Sequence, residues 1–324
     1  MMEDAAAYEI AAEAQRAWLC RGAPLQLIWR SENIVFGTIL PSGTKAVLRL
    51  HRPGYQDAPA IAAELAWSAR LCDAGVAVAE PLPAANGAWV AMVDGLVVSC
   101  LRWIEGQPLG EAVAPLENSA VLARAEDFGA LIADLHNATD AGACPEPFPR
   151  AGWDTEALLG ETPRLGRFWE APMLSAEESA ILRAARDKAL ALLPRATDFG
   201  PIHADTLRSN VMMTRGGLRL IDFDDCGPGW RLYDLASALV QSWGDPLLPE
   251  HARRLVAGYR RRRDLPADQL ALLPLFLAVR AFVSAAWVVT RAPEDRRRQR
   301  AYAYRAVALA RMLLAGASPW GEIG

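Results

Sequence analysis

Lysine is nearly absent. Of the 34 basic residues only Lys45 and Lys188 are lysine, so a cation that does work in this chain is almost always a guanidinium. Arginine is planar, permanently charged and bidentate, and it suits buried or forked contacts where lysine offers a point charge. Paired cysteines are missing as well. Cys20, Cys72, Cys100, Cys144 and Cys226 are odd in number and scattered, with no CxxC among them. That argues against a disulfide framework or a zinc site and for free thiols in a reducing compartment. No basic patch interleaved with aromatics and no zinc-finger spacing occurs, so no nucleic-acid partner is expected. The N-terminal MMEDAAAYEIAAEAQ is acidic and helical in pattern. It lacks the basic-then-apolar layout of a signal peptide, and a cytoplasmic location is the expectation.

What is present is enough apolar residue for a sizeable core. Of 324 residues 52% are hydrophobic, which allows one large domain or two lobes. The most apolar run, Leu270 to Thr290, approaches the length of a membrane span. Arg280 lies at its centre, however, where a charge costs roughly 2.5–3.5 kcal/mol on insertion scales. A buried helix is expected, and no membrane partner. Residues 251–311 hold fourteen arginines against only Asp264, Asp268, Glu294 and Asp295. Solvated helix faces explain such a bias, and so would an anionic partner.

The pattern changes along the chain. A helix over 5–20 precedes strand-like runs at Leu25–Arg30, Asn33–Leu40 and Thr44–Leu50, the last two joined by Pro41-Ser42-Gly43. In the third run Lys45, Val47 and Arg49 share one face. A helix from Asp57 to Ala74 follows, with Glu64 beside its apolar stripe. Two further strands are predicted at 88–93 and 96–103. Residues 104–108 break the pattern, and helices predominate beyond, at 121–137, 176–193, 232–243, 249–262, 267–291 and 296–314. Pro274 predicts a kink or a late start in the fifth of these. The expected organisation is an N-terminal lobe over 1–103, a hinge at 104–108 and a helical lobe over 109–324.

The chemistry concentrates in Pro201 to Ala236, PIHADTLRSNVMMTRGGLRLIDFDDCGPGWRLYDLA. Asp205 and Asn210 lie five apart in a loop, and Asp222 follows across a predicted hairpin. Two carboxylates and an amide oxygen at that spacing can converge, and hard oxygen ligands suit Mg²⁺ and the phosphates it carries.

The order of strand cation, helix glutamate, hinge, HADTLRSN and LIDFDDCGPGWRLYDLASAL is kinase-like. In detail it resembles the aminoglycoside phosphotransferase superfamily, nearest the branch of type II homoserine kinase and the RdoA-type stress-response kinases. SENIVF, VLRLHRPG, AAELAW, WIEGQPL and FGALIADLH match softer landmarks of that superfamily. The resemblance implies an α+β, two-lobed protein-kinase-like fold, with a small mainly antiparallel N-lobe carrying one long helix and a larger helical C-lobe. It implies ATP and Mg²⁺ as cofactors. Asp205 would orient the acceptor hydroxyl and take its proton, and Asn210 and Asp222 would hold the metal. Arg49, paired with Glu64, would steady the nucleotide phosphates, and the backbone around Leu101, Trp103 and Ile104 would bond the adenine. His203 and Asp234 would brace the catalytic loop. Arg208, Asp224 and Arg280 are candidates to meet the acceptor, Arg280 having a structural ion pair as its plain alternative.

The chain departs from the superfamily pattern at three points. Ala204 takes the place of a usual glycine, Arg49 that of a lysine (with Lys45 as a fallback ligand), and Ser31-Glu32-Asn33 stands where a glycine-rich loop would cover the phosphates. Leu207, where serine/threonine kinases carry a lysine, favours small-molecule over protein acceptors. The expected reaction is phosphorylation of a hydroxyl on a small metabolite, an amino acid or amino alcohol such as homoserine. Arginine-rich C-terminal helices disfavour a polycationic aminoglycoside. The alternatives are a serine/threonine protein kinase of the stress-response type and a nucleotide-binding module without turnover.

Overall fold

Alternating side chains near the N-terminus produce an antiparallel sheet of β1 (Gln26–Arg30), β2 (Ile34–Ile39), β3 (Lys45–Leu50), β4 (Val90–Val93) and β5 (Leu96–Arg102). Its strand order is β1-β2-β3-β5-β4. This computed structural model describes residues 3–111 and 114–321. On one face of the sheet Phe36, Ala46, Leu48, Leu50, Val98 and Cys100 are buried beside Ala7, Ile10, Ala11 and Ala14 of α1 (Asp4–Ala14). The sequence extends α1 to residue 20, but the helix stops at Ala14. Gln15 is buried there, and its amide bonds Ala23 O at 2.9 Å and Thr38 Oγ1 at 3.0 Å. The other face of β3 carries Arg49, whose register partners are Val35 on β2 and Ser99 on β5.

α2 (Ala58–Asp73) begins where Asp57 accepts a hydrogen bond from Ala60 N at 2.9 Å, with a proline in the first turn. Its buried stripe includes Ile61, Leu65, Trp67 and Leu71, and also Glu64. Trp67 sets its ring edge-on to Phe148 and Phe223, at centroid distances of 5.4 and 5.5 Å. It thereby packs against the residue between Asp222 and Asp224.

Further along come β6 (Phe199–Ile202), β7 (Val211–Thr214), β8 (Gly217–Leu220) and β9 (Gly227–Trp230). β7 and β8 are neighbours in a hairpin, and β6 pairs antiparallel with β9. The longer helices of the second half are α3 (Ala125–Ala138), α4 (Ala176–Leu192), α5 (Arg231–Val240), α6 (Leu248–Arg260), α7 (Leu273–Arg291) and α8 (Arg296–Ala315). Packing divides the chain into two compact units. The first runs through Gln107 and adds Ala138–Arg150 and Met212–Asp224; the second comprises Pro108–Asn137, Ala151–Val211 and Asp225 onward.

In the second unit α7 packs against α5 and α8. It starts late: a single turn, Ala267–Leu270, precedes it, and Pro274 sits in its first turn, where a missing N–H costs nothing. The apolar window of 267–291 has a mean hydropathy of 2.1 and is 83% buried, as a core helix should be. α3 and α6 cross closely. A Cβ on Gly129 would lie 1.9 Å from Leu255 O, and one on Gly258 would lie 1.9 Å from Glu126 O. The helix predicted over 121–137 is broken at Arg124, which leaves helical dihedrals (φ −105°, ψ 9°) after a short turn capped by Ser119.

Candidate active site

In the first unit the cation on β3 meets the strand-end acids. Arg49 Nη2 lies 2.7 Å from Asp222 Oδ1 and 3.6 Å from Asp224 Oδ1. Asp222 has φ 64°, a left-handed conformation that costs a non-glycine residue roughly 1–2 kcal/mol. Its carboxylate is 44% exposed, whereas Asp224 is buried. Asn33 Nδ2 donates to Asp224 Oδ2 at 3.2 Å, and Asn33 Oδ1 accepts Arg52 N at 3.0 Å. The turn 31–33, expected to cover phosphate, is thus anchored to the acid segment. Burial works to raise the Asp224 carboxyl, but the charges of Arg49, Arg52 and Arg150 hold it below its usual value.

Glu64 takes another partner than the expected one. Arg150 Nη1 lies 3.2 Å from Glu64 Oε2, and the same guanidinium donates to Phe223 O and Asp224 O. Arg49 reaches Glu64 only as a nearby charge. Burial pushes the Glu64 carboxyl up to about 7, against the opposing pull of Arg150 and Arg49. Arg150 was not singled out from the sequence. It ends an irregular, proline-rich stretch with no periodicity, 86 residues from Glu64. The segment expected to meet the adenine continues β5: Leu101 pairs with Val47, Arg102 N donates to Glu80 O, and Trp103 N donates to Lys45 O at 3.0 Å. Ile104 follows directly. Lys45 is exposed and bound to Glu105 at 2.6 Å.

In the second unit the HADTLRSN loop leaves β6 and is gathered by α5. Asp234, fully buried on α5, accepts Ala204 N on Oδ1 at 2.7 Å and His203 N on Oδ2 at 2.9 Å. Thr206 Oγ1 donates to Asp234 O at 2.6 Å. His136 Nε2 lies 3.1 Å from Asp234 Oδ2, and its Nδ1 lies 2.9 Å from Tyr259 Oη. The chain reads Tyr259 O–H to His136 and His136 N–H to the carboxylate. Burial lowers the His136 imidazole to about 4 despite Asp234 beside it. The Asp234 carboxyl, which burial alone would raise, is held below its ordinary value by the His136 bond and its neighbours. Ala204 adopts φ 65°, the left-handed turn for which glycine is the easier residue. His203 is buried, and its Nδ1 accepts Asp205 N at 3.2 Å.

Asp205 itself has both oxygens engaged. Asn210 Nδ2 donates to Oδ2 at 2.7 Å and to Asp205 O at 2.9 Å. Arg280 Nη2 donates to Oδ1 at 2.5 Å. Arg208, read as an acceptor candidate, is a strut instead: it is buried, with Nη1 on Ala114 O at 2.8 Å and Nη2 on Gln241 O at 2.7 Å.

The donors fit a hard cation. Asp222 already draws a positive group, the Arg49 guanidinium, and the Asn210 amide oxygen lies outside the bonds its Nδ2 makes. Among the described residues no three His, Cys, Asp or Glu side chains form a metal cluster. An exposed carboxylate and an amide oxygen are each the kind of hard donor that Mg²⁺ takes beside phosphate and water.

The model of a family described as the phosphotransferase enzyme family matches residues 30–271. An amicoumacin kinase of Bacillus subtilis is 27% identical over 229 residues, covering 67% of this chain and 66% of that one. A homoserine kinase of Pseudomonas aeruginosa is 34% identical over 190 residues, 55% of this chain and 57% of the relative. A solved structure, that of the microcompartment-associated aminopropanol kinase, shares 32% identity at a TM-score of 0.84 over 95% of this chain and 98% of its own. The fold is accordingly the α+β, protein-kinase-like one, with an antiparallel N-terminal sheet and a helical remainder.

Proposed function

The chain belongs to the phosphotransferase enzyme family and is a kinase, and from that premise we propose that it transfers the γ-phosphate of magnesium-ATP to a hydroxyl of a small amino acid or amino alcohol, of the homoserine type. The observation that carries the reading is Asp205, a carboxylate on a loop whose backbone is tied at residues 203 and 204 by Asp234 and whose side chain is bonded by Asn210.

Each residue then has a task. Asp205 orients the acceptor hydroxyl and receives its proton. Asn210 and Asp222 would hold the divalent metal, whose charge would offset the charge on the transferred group. Arg49, with its planar fork, steadies nucleotide phosphate in place of a lysine, and Asp224 and Arg150 hold the segment bearing Asp222. Because the transition state of phosphoryl transfer is loose, fixed geometry and charge matter more than strong basicity.

The test is ADP release across amino acids, amino alcohols, sugars, aminoglycosides and a generic protein, with Asp205→Asn as control. The substitution should keep nucleotide binding while turnover falls at least about a hundredfold, the lower range for a lost proton-transfer group. Full activity in that variant, or an aminoglycoside as the best acceptor, would refute the assignment.

A further inference from the structure

Arg280 is more than the neighbour of Asp205. It is buried in α7, where Nε donates to Ser237 Oγ at 2.9 Å, Nη1 to Ser284 Oγ at 3.1 Å and Nη2 to Asp205 Oδ1 at 2.5 Å. Both serines spend their own protons on backbone, Ser237 on Ala204 O and Ser284 on Arg280 O, so their lone pairs fix the guanidinium plane. A guanidinium has five N–H donors. Three are used, and one on each Nη has no partner among the described residues. Beneath it, 5.9 Å from its carbon, lies the ring of Tyr233, whose buried hydroxyl has no hydrogen-bond partner among the described residues.

A second arginine faces the same region from α8. Arg305 is half-buried, its guanidinium 5.3 Å over the Tyr302 ring, and no carboxylate lies within ion-pair distance among the described residues. Burial lowers its pKa, Tyr302 opposes the shift, and the charge of Arg280 adds to it. Burial also lowers Arg208; Asp245 opposes the shift, and the charge of Arg305 adds to it. Arg305 thus lies in the field of both other arginines; Asp245 and Asp225 act on Arg208 and Arg280 as nearby charges, and among the described residues Asp205 is the carboxylate within ion-pair distance of any of the three. Half-buried cations without counter-charge are costly, and the cost is offset when an anion arrives.

We propose that Arg280 and Arg305 read an anionic group on the acceptor, a carboxylate or a phosphate, and that Arg280 holds Asp205 back until that group is present. The inference rests on the kinase reading and narrows its acceptor to a hydroxylated anion. With no anion bound, Asp205 has no unengaged oxygen to offer a hydroxyl. An acceptor carboxylate takes up the forked N–H groups of Arg280 and draws them from Asp205 Oδ1. That oxygen then accepts the hydroxyl proton as the acceptor oxygen bonds to the γ-phosphorus and the bond to ADP breaks. An uncharged acceptor must break the Arg280–Asp205 bond with nothing in return.

The experiment compares kcat/KM for L-homoserine with that for its carboxamide, which keeps the hydroxyl and the ammonium, and for glycerol 3-phosphate with that for glycerol. The two pairs separate carboxylate from phosphate recognition. In one pair the member bearing the anionic group should exceed its partner lacking it by roughly tenfold or more, the worth of a charge-assisted bond. In Arg305→Gln that ratio should fall several-fold, and in Arg280→Gln it should approach one as Asp205 is released. If Arg280→Gln does not fold, the ratio in Arg305→Gln decides. Equal or better use by the wild type of the members lacking the anionic group overturns the inference and leaves the kinase reading standing. An unchanged ratio in the variants overturns the assignment to these arginines. If no alcohol of either kind is phosphorylated, the kinase reading falls, and the inference with it.

Discussion

Replacing Asp234 by asparagine changes one atom and should disable the catalytic loop. Three donors converge on the carboxylate, Ala204 N on Oδ1 and both His203 N and His136 Nε2 on Oδ2. An amide has one acceptor oxygen. Set in the Oδ2 position, it keeps His203 and His136 but turns its NH₂ onto Ala204 N, leaving two buried donors face to face. The opposite orientation orphans two donors instead of one. Each unsatisfied buried group costs about 1–3 kcal/mol, and the surviving bonds lose their charge assistance. The total comes to about 3–5 kcal/mol, a large fraction of the 5–15 kcal/mol that holds an ordinary domain folded. Urea unfolding followed by tryptophan fluorescence should show a lower midpoint with an unchanged slope. Because the loop carries Asp205, kcat should fall on the order of a hundredfold, as expected for a catalytic group moved by about 1 Å. A stability change under about 1 kcal/mol would refute the donor count. A large stability loss with undiminished kcat would refute the claim that Asp234 fixes the loop.

Two other outcomes are expected. Arg150→Met strands Glu64, 3% exposed, without its ion-pair partner, and should cost about 3–5 kcal/mol at pH 8; adding Glu64→Gln should recover most of it, and strictly additive losses in urea would disprove the pairing. Burial holds His51, His136 and His251 near 3, 4 and 4, below the ordinary value near 6.5. The folded state then binds fewer protons than the unfolded one, so their contribution is complete above about pH 6.5 and is lost as pH falls toward 4, at up to about 1.4 kcal/mol per pH unit for each. Glu64, raised to about 7, acts in the reverse sense, and its contribution disappears as pH rises through 7. Three histidines outweigh one glutamate, so a stability curve flat or rising from pH 6.5 to 5 would contradict the burial of these rings.

How much of this was legible depended on how local the cause was. β1 to β5 followed from alternation and turn residues, and α2 from Asp57 and an apolar stripe. Each is decided within a few residues of chain. Pro274 announced the late start of α7 for the same reason. β6 and β9, FGPI and GPGW, resisted because prolines and glycines make poor strands alone; they pair only because the loop between them is gathered onto α5. The nearness of Asp205 and Asn210 could be read because five residues of one loop separate them. The partners could not. Glu64 meets Arg150 and Asp205 meets Arg280 across 86 and 75 residues. A charge amid Leu277, Phe282 and Val283 declared that Arg280 needed a counterpart without saying which. Arg305 gave no signal, being one arginine among many on α8.

The scarcity of lysine has a consequence for reactivity. Nucleotide analogues that carry an acyl phosphate or a sulfonyl fluoride work by modifying an amine beside the phosphates. Here the position proposed to steady the phosphates holds Arg49, a side chain 11% exposed and bonded to Asp222, and a charged guanidinium is too weak a nucleophile to be acylated. The lysine amines are Lys45, exposed and paired with Glu105, and Lys188, bonded to Leu314 O on a distant stretch of chain. Amine-directed labelling of nucleotide sites would pass over this enzyme even at saturating ATP affinity. A dicarbonyl reagent, which condenses with guanidinium groups, is the chemistry that would find it.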